Sequence, residues 1–391
     1  MAKAIYFDNS ATTKISDNAL KKYNEVSLEN FGNPSSLHAF GFDAEKEIKE
    51  AKKTVAASVM EKDATVIFTA SGSEAHNLAI IGRAYAKERY RAGGKIITTN
   101  SEHASVSEPI KKLEGDGFKT AFVPTLAGKV DLSALQKELS GDVILVSVML
   151  VNNETGAIYD VKRISDTVKA KCRGAIIHVD ATQAYMKLPF TMRTLGADMI
   201  TVSSHKIHGP KGVGALIISP AVIKERGLAP IIYGGGQEGG LRSGTENVPG
   251  IAAFATAVAE GKANLVTNAQ KMDTLRAYIV DKLTTTPALA EVRITNPEKH
   301  APHILNITLP AIKSETMLHY LSSRGILVSS GSACSSNTAH HPSHALVAYG
   351  ISEDDADSSI RISLSHENTN EEADELISAL CDGIERLARK K

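Results

Sequence analysis

Tryptophan, cysteine and net charge are scarce or absent in this sequence. Its 391 residues include no tryptophan, only three cysteines, and no excess charge, with 44 Lys+Arg against 44 Asp+Glu. Three cysteines in a chain of this length form no disulfide framework, so we expect a reducing compartment, the cytoplasm. The balanced charge favours neither nucleic acid nor an anionic membrane as a partner. No apolar run approaches the roughly 20 residues of a membrane span, and the N-terminus lacks a signal-peptide pattern. A globular, multi-domain enzyme is the class that remains.

The pattern of apolar residues predicts the fold class. From about residue 65, short apolar runs alternate with helical stretches, and we expect strands at 66–69, 95–99, 120–124, 143–150 and 175–179. Such alternation is typical of an α/β protein with a mostly parallel sheet covered on both faces. Ligands of these sheets bind beyond the carboxyl ends of the strands.

The character of the sequence changes near residue 250. A long helical stretch, 251–283, leads into a second α/β region with strands expected at 304–308, 326–329 and 360–364 and helices at 314–323 and 371–387. We therefore predict a large domain over 15–255. A smaller α/β domain over 256–391 would also take up the N-terminal segment 1–14.

One lysine stands out in the stretch 198–214. Lys206 follows an apolar strand and Ser203-Ser204-His205, and a Gly-Pro turn and a second apolar strand come after it. An amine placed in this way can attack an aldehyde, and pyridoxal phosphate is the aldehyde that proteins most often bind through a lysine. The alternative is an ordinary solvated lysine in a loop.

Three further polar groups follow predicted strands. Gly72-Ser73 opens a helix and suits a phosphate, although an ordinary N-cap would look the same. Asp180 ends an apolar run, where a buried carboxylate needs a partner such as a pyridinium N–H, with Gln183 nearby to donate to a ring hydroxyl. A helix N-cap is the alternative for Asp180. His103 is placed to stack on a planar cofactor or to move protons. One planar, phosphorylated cofactor on Lys206 would use all of these groups, together with Asn153.

Competing cofactors fit the sequence less well. The glycine-rich stretch 234–244 is not followed by a helix in a βαβ unit, so it fails as a dinucleotide fingerprint, and the P-loop pattern does not occur. Its Arg242-Ser-Gly-Thr245 portion can still offer amides and a hydroxyl to a phosphate.

A single cysteine among serines marks a second chemical centre. Cys334 lies in Ser-Ser-Gly-Ser-Ala-Cys-Ser-Ser-Asn, where we expect an exposed, mobile loop rather than the buried setting of a structural thiol. Thiols are strongly nucleophilic, so Cys334 can attack a substrate. A zinc site with the following histidines, His340, His341 and His344, is disfavoured because the spacing matches no common pattern. We therefore predict no metal.

Taken together, these motifs resemble the cysteine desulfurases of nitrogen fixation and iron–sulfur-cluster assembly. The likeness runs from Tyr-Phe-Asp-Asn-Ser-Ala-Thr-Thr at 6–13 and Phe-Gly-Asn-Pro-Ser-Ser at 31–36 to Ser-Ser-Ile-Arg-Ile-Ser-Leu at 358–364. It implies the fold-type I architecture of pyridoxal-phosphate enzymes, in its class V aminotransferase branch, as a homodimer. The implied reaction converts L-cysteine to L-alanine and leaves the sulfur as an enzyme persulfide for a protein acceptor or an iron–sulfur scaffold.

The resemblance also implies a role for each site residue. Lys206 would hold pyridoxal 5′-phosphate as a Schiff base, His103 would stack on the ring, Cys334 would take the sulfur, and Arg361 would bind the substrate carboxylate. The remaining cofactor contacts would be the ring partners Asp180 and Gln183, Asn153 for both cofactor and substrate, and the phosphate ligands Gly72, Ser73, Ser203, His205 and, from the partner subunit, Thr245.

Alternatives to this reaction remain open at the level of sequence. A selenocysteine lyase or a class V aminotransferase would use the same cofactor, and a catalytically decayed sulfur-transfer scaffold would need none. The residues His340, His341, His366 and Glu367 depart from the family's usual pattern, so the motifs do not identify the sulfur acceptor or the choice between cysteine and selenocysteine.

Overall fold

The computed structural model describes residues 4–330 and 343–387. Within them lie fifteen strands: β1 Ile5–Tyr6, β2 Thr65–Thr69, β3 Lys95–Thr99, β4 Lys119–Val123, β5 Thr125–Leu126, β6 Lys129–Val130, β7 Val143–Met149, β8 Ile176–Asp180, β9 Met199–Ser203, β10 Gly214–Ile218, β11 Arg293–Thr295, β12 Ile304–Thr308, β13 Ile326–Leu327, β14 Ser329–Ser330 and β15 Ser359–Ser363.

The same residues contain fifteen α-helices: α1 Asp17–Glu29, α2 Ala39–Ser58, α3 Gly72–Tyr85, α4 Glu88–Arg91, α5 Ala104–Gly115, α6 Leu132–Glu138, α7 Val161–Lys171, α8 Met192–Leu195, α9 Pro220–Lys224, α10 Val248–Ala263, α11 Leu265–Thr285, α12 Ser314–Ser323, α13 His344–Tyr349, α14 Glu353–Asp357 and α15 Asn370–Leu387. None of these helices is long and apolar enough to cross a bilayer.

A seven-stranded sheet in the order β2-β10-β9-β8-β7-β3-β4 forms the larger part of the molecule. Only β10 runs against its neighbours, β2 and β9, while the other pairs are parallel. The central strands β7 and β8 are buried at every position, as a sheet covered on both faces requires. The mostly parallel α/β sheet predicted from the sequence is confirmed.

A four-stranded antiparallel sheet, β11-β12-β15-β14, organises the C-terminal part. Its core is separate from that of the large sheet and contains Leu305, Ile307, Leu376 and Leu380. The N-terminal strand joins this part, because β1 pairs in parallel with β13 and Phe7 packs in the same core. The exact domain boundaries stay a prediction.

Two sequence expectations need correction. The helical stretch 251–283 is two helices, because the chain breaks at Asn264, whose side-chain amide donates to the Glu260 carbonyl at 3.0 Å. Asparagine competes for backbone groups in this way and so favours helix ends. The strand expected at 326–329 is also two pieces, since β13 pairs with β1 and β14 pairs with β15.

Candidate active site

The carboxyl ends of β3, β7, β8 and β9 open into a cavity of about 360 Å³. Ten of the residues singled out from the sequence line it: Gly72, Ser73, His103, Asn153, Asp180, Gln183, Ser203, His205, Lys206 and Arg361. Strand ends of a parallel sheet meet at one edge, which is why residues so far apart in sequence come together.

Lys206 lies in a 3₁₀ turn, Ser204–Lys206, that begins where β9 ends. Its Nζ donates to the backbone carbonyls of Ser10 and Ala11, at 2.5 and 2.7 Å. Gly209 closes the turn at a position where a Cβ would meet the Ser204 hydroxyl at 2.1 Å. Glycine at position 209 is therefore required for this tight turn, and the turn presents the amine to the cavity.

Asp180 ends β8 with its carboxyl almost fully buried. Burial alone would raise the pKa of Asp180, but the His76 imidazole and hydrogen bonds from Thr182 outweigh it and hold the pKa well below its usual range. The Thr182 amide donates to Oδ1 at 2.8 Å, and His76 Nε2 lies 3.4 Å from the same oxygen. The cavity therefore contains a fixed carboxylate that can accept an N–H from a ligand.

The start of α3 forms a cradle with hydroxyl groups on its open side. Ser71 caps the helix by accepting from the Glu74 amide. Within the described residues, the buried hydroxyl of Ser203 has no hydrogen-bond partner. A Cβ placed on Gly72 would lie 3.3 Å from Ser203 Cβ and 3.7 Å from Thr182 Oγ1, so glycine keeps this space open. Free hydroxyls at a helix N-terminus are the donors that a phosphate needs.

His103 caps the N-terminus of α5 and lines the cavity. Its Nδ1 accepts from the Ser105 amide at 3.1 Å and lies 2.8 Å from the Ser105 hydroxyl. Burial lowers the pKa of His103. His205, beside Lys206, has its pKa lowered to about 4 by burial and by the lysine charge. A neutral imidazole is therefore expected at both positions at neutral pH.

Arg361 reaches the cavity from β15, in the smaller sheet. Its Nη1 donates to the Asn153 carbonyl at 2.8 Å and its Nη2 to Asp8 at 3.1 Å. Its buried Nε has no hydrogen-bond partner among the described residues. A buried guanidinium with a donor to spare suits a carboxylate ligand.

Gln183 lines the same cavity, Thr245 does not, and Cys334 lies outside the described residues. The Gln183 amide donates to the Ser10 carbonyl at 2.9 Å, and its oxygen lies 3.4 Å from His303. Thr245 lies outside this cavity, in a smaller pocket with Phe68 and Arg242. Cys334 is outside the described residues, as are His340 and His341, while His344 bonds the Glu102 carbonyl at 2.8 Å.

Several residues that line the same cavity were not singled out from the sequence, among them Asp8, His76, Ser105 and Thr182. His76 and Ser105 lie inside helical patterns, where nothing in the sequence distinguishes them from solvent-facing residues. Thr182 follows Asp180 by two residues, and its position in the Asp-Ala-Thr-Gln motif was the one signal that pointed to it.

The sequence is similar to those of known enzymes over nearly its whole length. Residues 5–376 match the family model described as "Aminotransferase class-V". The chain is 38% identical to "Cysteine desulfurase IscS 1" of Archaeoglobus fulgidus over 98% of this chain and 97% of that one. It is 37% identical to "Putative cysteine desulfurase IscS 1" of Bacillus subtilis, over 98% and 99% of the two chains.

Solved structures give the same result. A structure titled "NIFS-LIKE PROTEIN" superposes with a TM-score of 0.89 at 36% identity, covering 98% of this chain and 99% of that one. Another, titled "SspA in complex with cysteine", superposes with a TM-score of 0.78 at 29% identity, over 93% and 100% of the two chains.

The fold and the lysine-centred cavity define a member of the class V aminotransferase family, to which the chain belongs. Within that family it is a cysteine desulfurase, as the near full-length similarity to enzymes of that name shows. The family, fold class and enzyme type predicted from the motifs are thereby confirmed.

Proposed function

We propose that this desulfurase works with pyridoxal 5′-phosphate held in the cavity around Lys206 and passes sulfur from L-cysteine to Cys334. The observation that carries the proposal is one cavity that joins a half-buried lysine, a fixed carboxylate and the unpartnered hydroxyl of Ser203. These three groups match the aldehyde, the ring nitrogen and the phosphate of one molecule.

The residues of the cavity fit this cofactor in size and chemistry. Lys206 would bind the aldehyde carbon, Asp180 the ring nitrogen, and the start of α3 with Ser203 and Thr182 the phosphate. When bound, the cofactor supplies an electron sink for the substrate carbon next to the amine. The 360 Å³ of the cavity lies in the range usual for small-molecule sites.

Arg361 is the group that would orient the amino-acid substrate. Its free Nε, together with an Nη group, offers the paired donors that a carboxylate accepts. Asn153 and Asp8 hold the guanidinium in place. The substrate amine would then point toward Lys206 and its side chain toward the end of the cavity formed by Ser329 and Ser330.

Cys334, which is outside the described residues, would be the group that receives the sulfur. The described chain stops at Ser330, which lines the cavity, and begins again at Ser343, whose hydroxyl donates to the cavity residue Glu154. In the balanced reaction the Cβ–S bond of cysteine breaks, an S–S bond to Cys334 forms, and a proton on Cβ completes alanine.

A second copy of the chain would complete the site. Large apolar side chains are exposed in the segment 28–42, where Leu37 is 90% and Phe31 66% exposed and the Phe31 and Phe40 rings stack with centroids 5.2 Å apart. A patch of this kind marks an interaction surface. Since Thr245 lies outside its own subunit's cavity, we propose a homodimer in which Thr245 binds the phosphate of the partner subunit.

Subunit mixing tests the dimer directly. We expect Thr245→Ala to weaken pyridoxal-phosphate binding, and a hybrid of Thr245→Ala and Lys206→Ala subunits to regain one site of wild-type affinity. If Thr245 acted within its own subunit, the hybrid would contain no intact site. A monomer by light scattering would refute the dimer itself.

The chemistry is tested by incubating the purified protein with L-cysteine and pyridoxal phosphate. We expect alanine in the solution and a Cys334 peptide heavier by one sulfur. A keto acid in place of alanine would point to an aminotransferase, and turnover of selenocysteine alone to a lyase.

Lys206→Ala should lose the visible absorbance of lysine-bound cofactor, whereas the exposed Lys211→Ala control should keep it.

A further inference from the structure

A series of contacts between four side chains connects two of the proposed cofactor residues along the wall of the cavity. It runs from Asp180 to His76 (3.4 Å), from His76 Nδ1 to the Ser105 hydroxyl (2.8 Å), and from that hydroxyl to His103 Nδ1 (2.8 Å). The chain joins β8, α3 and α5, and His76 is only 2% exposed. His76 and Ser105 therefore link the Asp180 carboxylate to the His103 imidazole.

The number of hydrogens available along this series of contacts restricts the protonation states that its histidines can adopt. His103 Nδ1 accepts from the Ser105 amide and so carries no hydrogen itself. The Ser105 hydroxyl has one hydrogen, while two histidine nitrogens, one on each side, lie at 2.8 Å. If that hydrogen goes to His103, His76 Nδ1 must donate to the hydroxyl oxygen.

The other nitrogen of His76 then decides its charge. Nε2 faces Asp180 at 3.4 Å, a distance long for a hydrogen bond but short for an ion pair. If Nε2 carried no hydrogen, its lone pair would face the Asp180 carboxylate, and the two would repel each other. Every contact is favourable only when both nitrogens of His76 carry hydrogen, that is, when His76 is an imidazolium.

Neighbouring groups do not offer a competing site for this proton. His178, whose ring centroid lies 5.6 Å from that of His76, bonds Ser147 and Thr201 through its two nitrogens. Burial lowers the pKa of His178 to about 3, so it stays neutral. Glu102, the other acidic group near Asp180, is buried and bonded to Thr99 and to the Met149 amide.

We propose that His76 and Ser105 are positioning residues: a His76 imidazolium, held by the Ser105 hydroxyl, keeps Asp180 ionised, and the Ser105 amide fixes the hydrogen of neutral His103 on Nε2, the nitrogen free to face the cavity. This inference rests on the proposed function for its catalytic meaning. The protonation pattern itself is a property of the protein without cofactor.

Nitrogen-15 NMR of histidine-labelled protein, freed of cofactor, tests the pattern without any assay of activity. At pH 7 we expect His76 to show two protonated nitrogens and His103 to show its hydrogen on Nε2. Ser105→Ala removes the acceptor of His76 Nδ1, so we expect His76 to lose the hydrogen on Nδ1 and become neutral, while the backbone amide of residue 105 keeps the hydrogen of His103 on Nε2. The Ser107→Ala variant, on the same helix, and His319→Gln, on the surface, are the controls and should change neither signal.

Kinetics of the loaded enzyme supply the second measurement. We expect His76→Gln and Ser105→Ala each to lower kcat about tenfold with KM changed less than threefold, the size expected for one lost hydrogen bond. The double variant should be little worse than either single one, because both break the same chain. A neutral His76 at pH 7 in the wild type, or a His76 that stays cationic in Ser105→Ala, would overturn the proposal. Absence of desulfuration with the NMR pattern intact would instead count against the proposed function.

Discussion

Arg361 and Asp8 form an ion pair, Nη2 to Oδ1 at 3.1 Å, across the boundary between the smaller sheet and the N-terminal segment. Both side chains line the cavity, and the guanidinium is 8% exposed. A buried, braced guanidinium can bind a carboxylate without having to be ordered first, and several predictions about substrate and cofactor binding depend on such preformed groups.

The first prediction concerns Arg361. Arg361→Lys keeps the charge but removes the paired donors, so we expect KM for L-cysteine to rise about 10- to 100-fold, the cost of roughly 1.5–3 kcal/mol for a charged hydrogen bond. Steady-state kinetics provide the measurement. Arg293→Lys, on an exposed ion pair with Asp355, is the matched control. An unchanged KM would remove Arg361 from the substrate site.

The second prediction concerns the unpartnered Ser203 hydroxyl. Because that hydroxyl has no partner in the described residues, Ser203→Ala should not lower the free energy of unfolding of the cofactor-free protein. It should weaken binding of pyridoxal phosphate about tenfold, the cost of one hydrogen bond to a charged group. Binding of pyridoxal, which lacks the phosphate, should be unaltered in the variant. Equal weakening for both ligands would show that Ser203 does not contact phosphate.

The third prediction concerns Cys334. Cys334→Ala should abolish alanine formation from L-cysteine while cofactor binding, followed by absorbance, is retained. Cys172→Ser and Cys381→Ser are the controls, since Cys172 is a buried helix-end residue whose thiol donates to the Ser140 carbonyl and Cys381 packs beside the smaller core. Activity in Cys334→Ala would move the sulfur transfer to another group.

The fourth prediction concerns pH and Glu102. Burial raises the pKa of Glu102 from 4.5 to about 8, and the hydrogen bonds from Thr99 and Met149 offset it only in part. A raised folded-state pKa favours folding below the unfolded value of 4.5, and this contribution is lost as pH rises through about 8.

Glu102→Gln removes this titration while its amide oxygen can accept the same two bonds. We expect the wild-type free energy of unfolding, measured with urea on cofactor-free protein, to fall between pH 5 and 9 more steeply than that of the variant, by on the order of a few kcal/mol. Glu108→Gln, on the exposed face of α5, should follow the wild type. Parallel curves for wild type and Glu102→Gln would show that Glu102 does not titrate in this range.

Sequence reasoning located those parts of the site that follow strands. Lys206, Asp180 and His103 each come after a recognisable apolar run, and the geometry of parallel sheets brings such positions to one edge. The smaller domain was harder to describe from the sequence. The segment 326–329 reads as one strand, yet it belongs to two sheets, and only the distant partners of β13 and β14 decide where it divides.

Residues that act from inside a helix were not predictable. His76 fits the helical pattern of α3, and its closeness to Asp180 depends on how α3 packs on the sheet. The same holds for Asp8, whose partner Arg361 lies 353 residues away in the sequence. Contacts of that separation are set by tertiary packing and leave no local signal.

The pairing of Ile5 with Ile326 has a consequence for how the enzyme is made. During synthesis, the first strand has no partner until the ribosome has translated more than three hundred further residues, and the Asp8 bridge to Ser363 must wait longer still. Ser10 and Ala11, which hold the Lys206 amine, lie in the stretch that follows. The large sheet can assemble while the chain is growing, but a nascent desulfurase has no finished active site until its last sheet has been translated and the two ends of the chain have met.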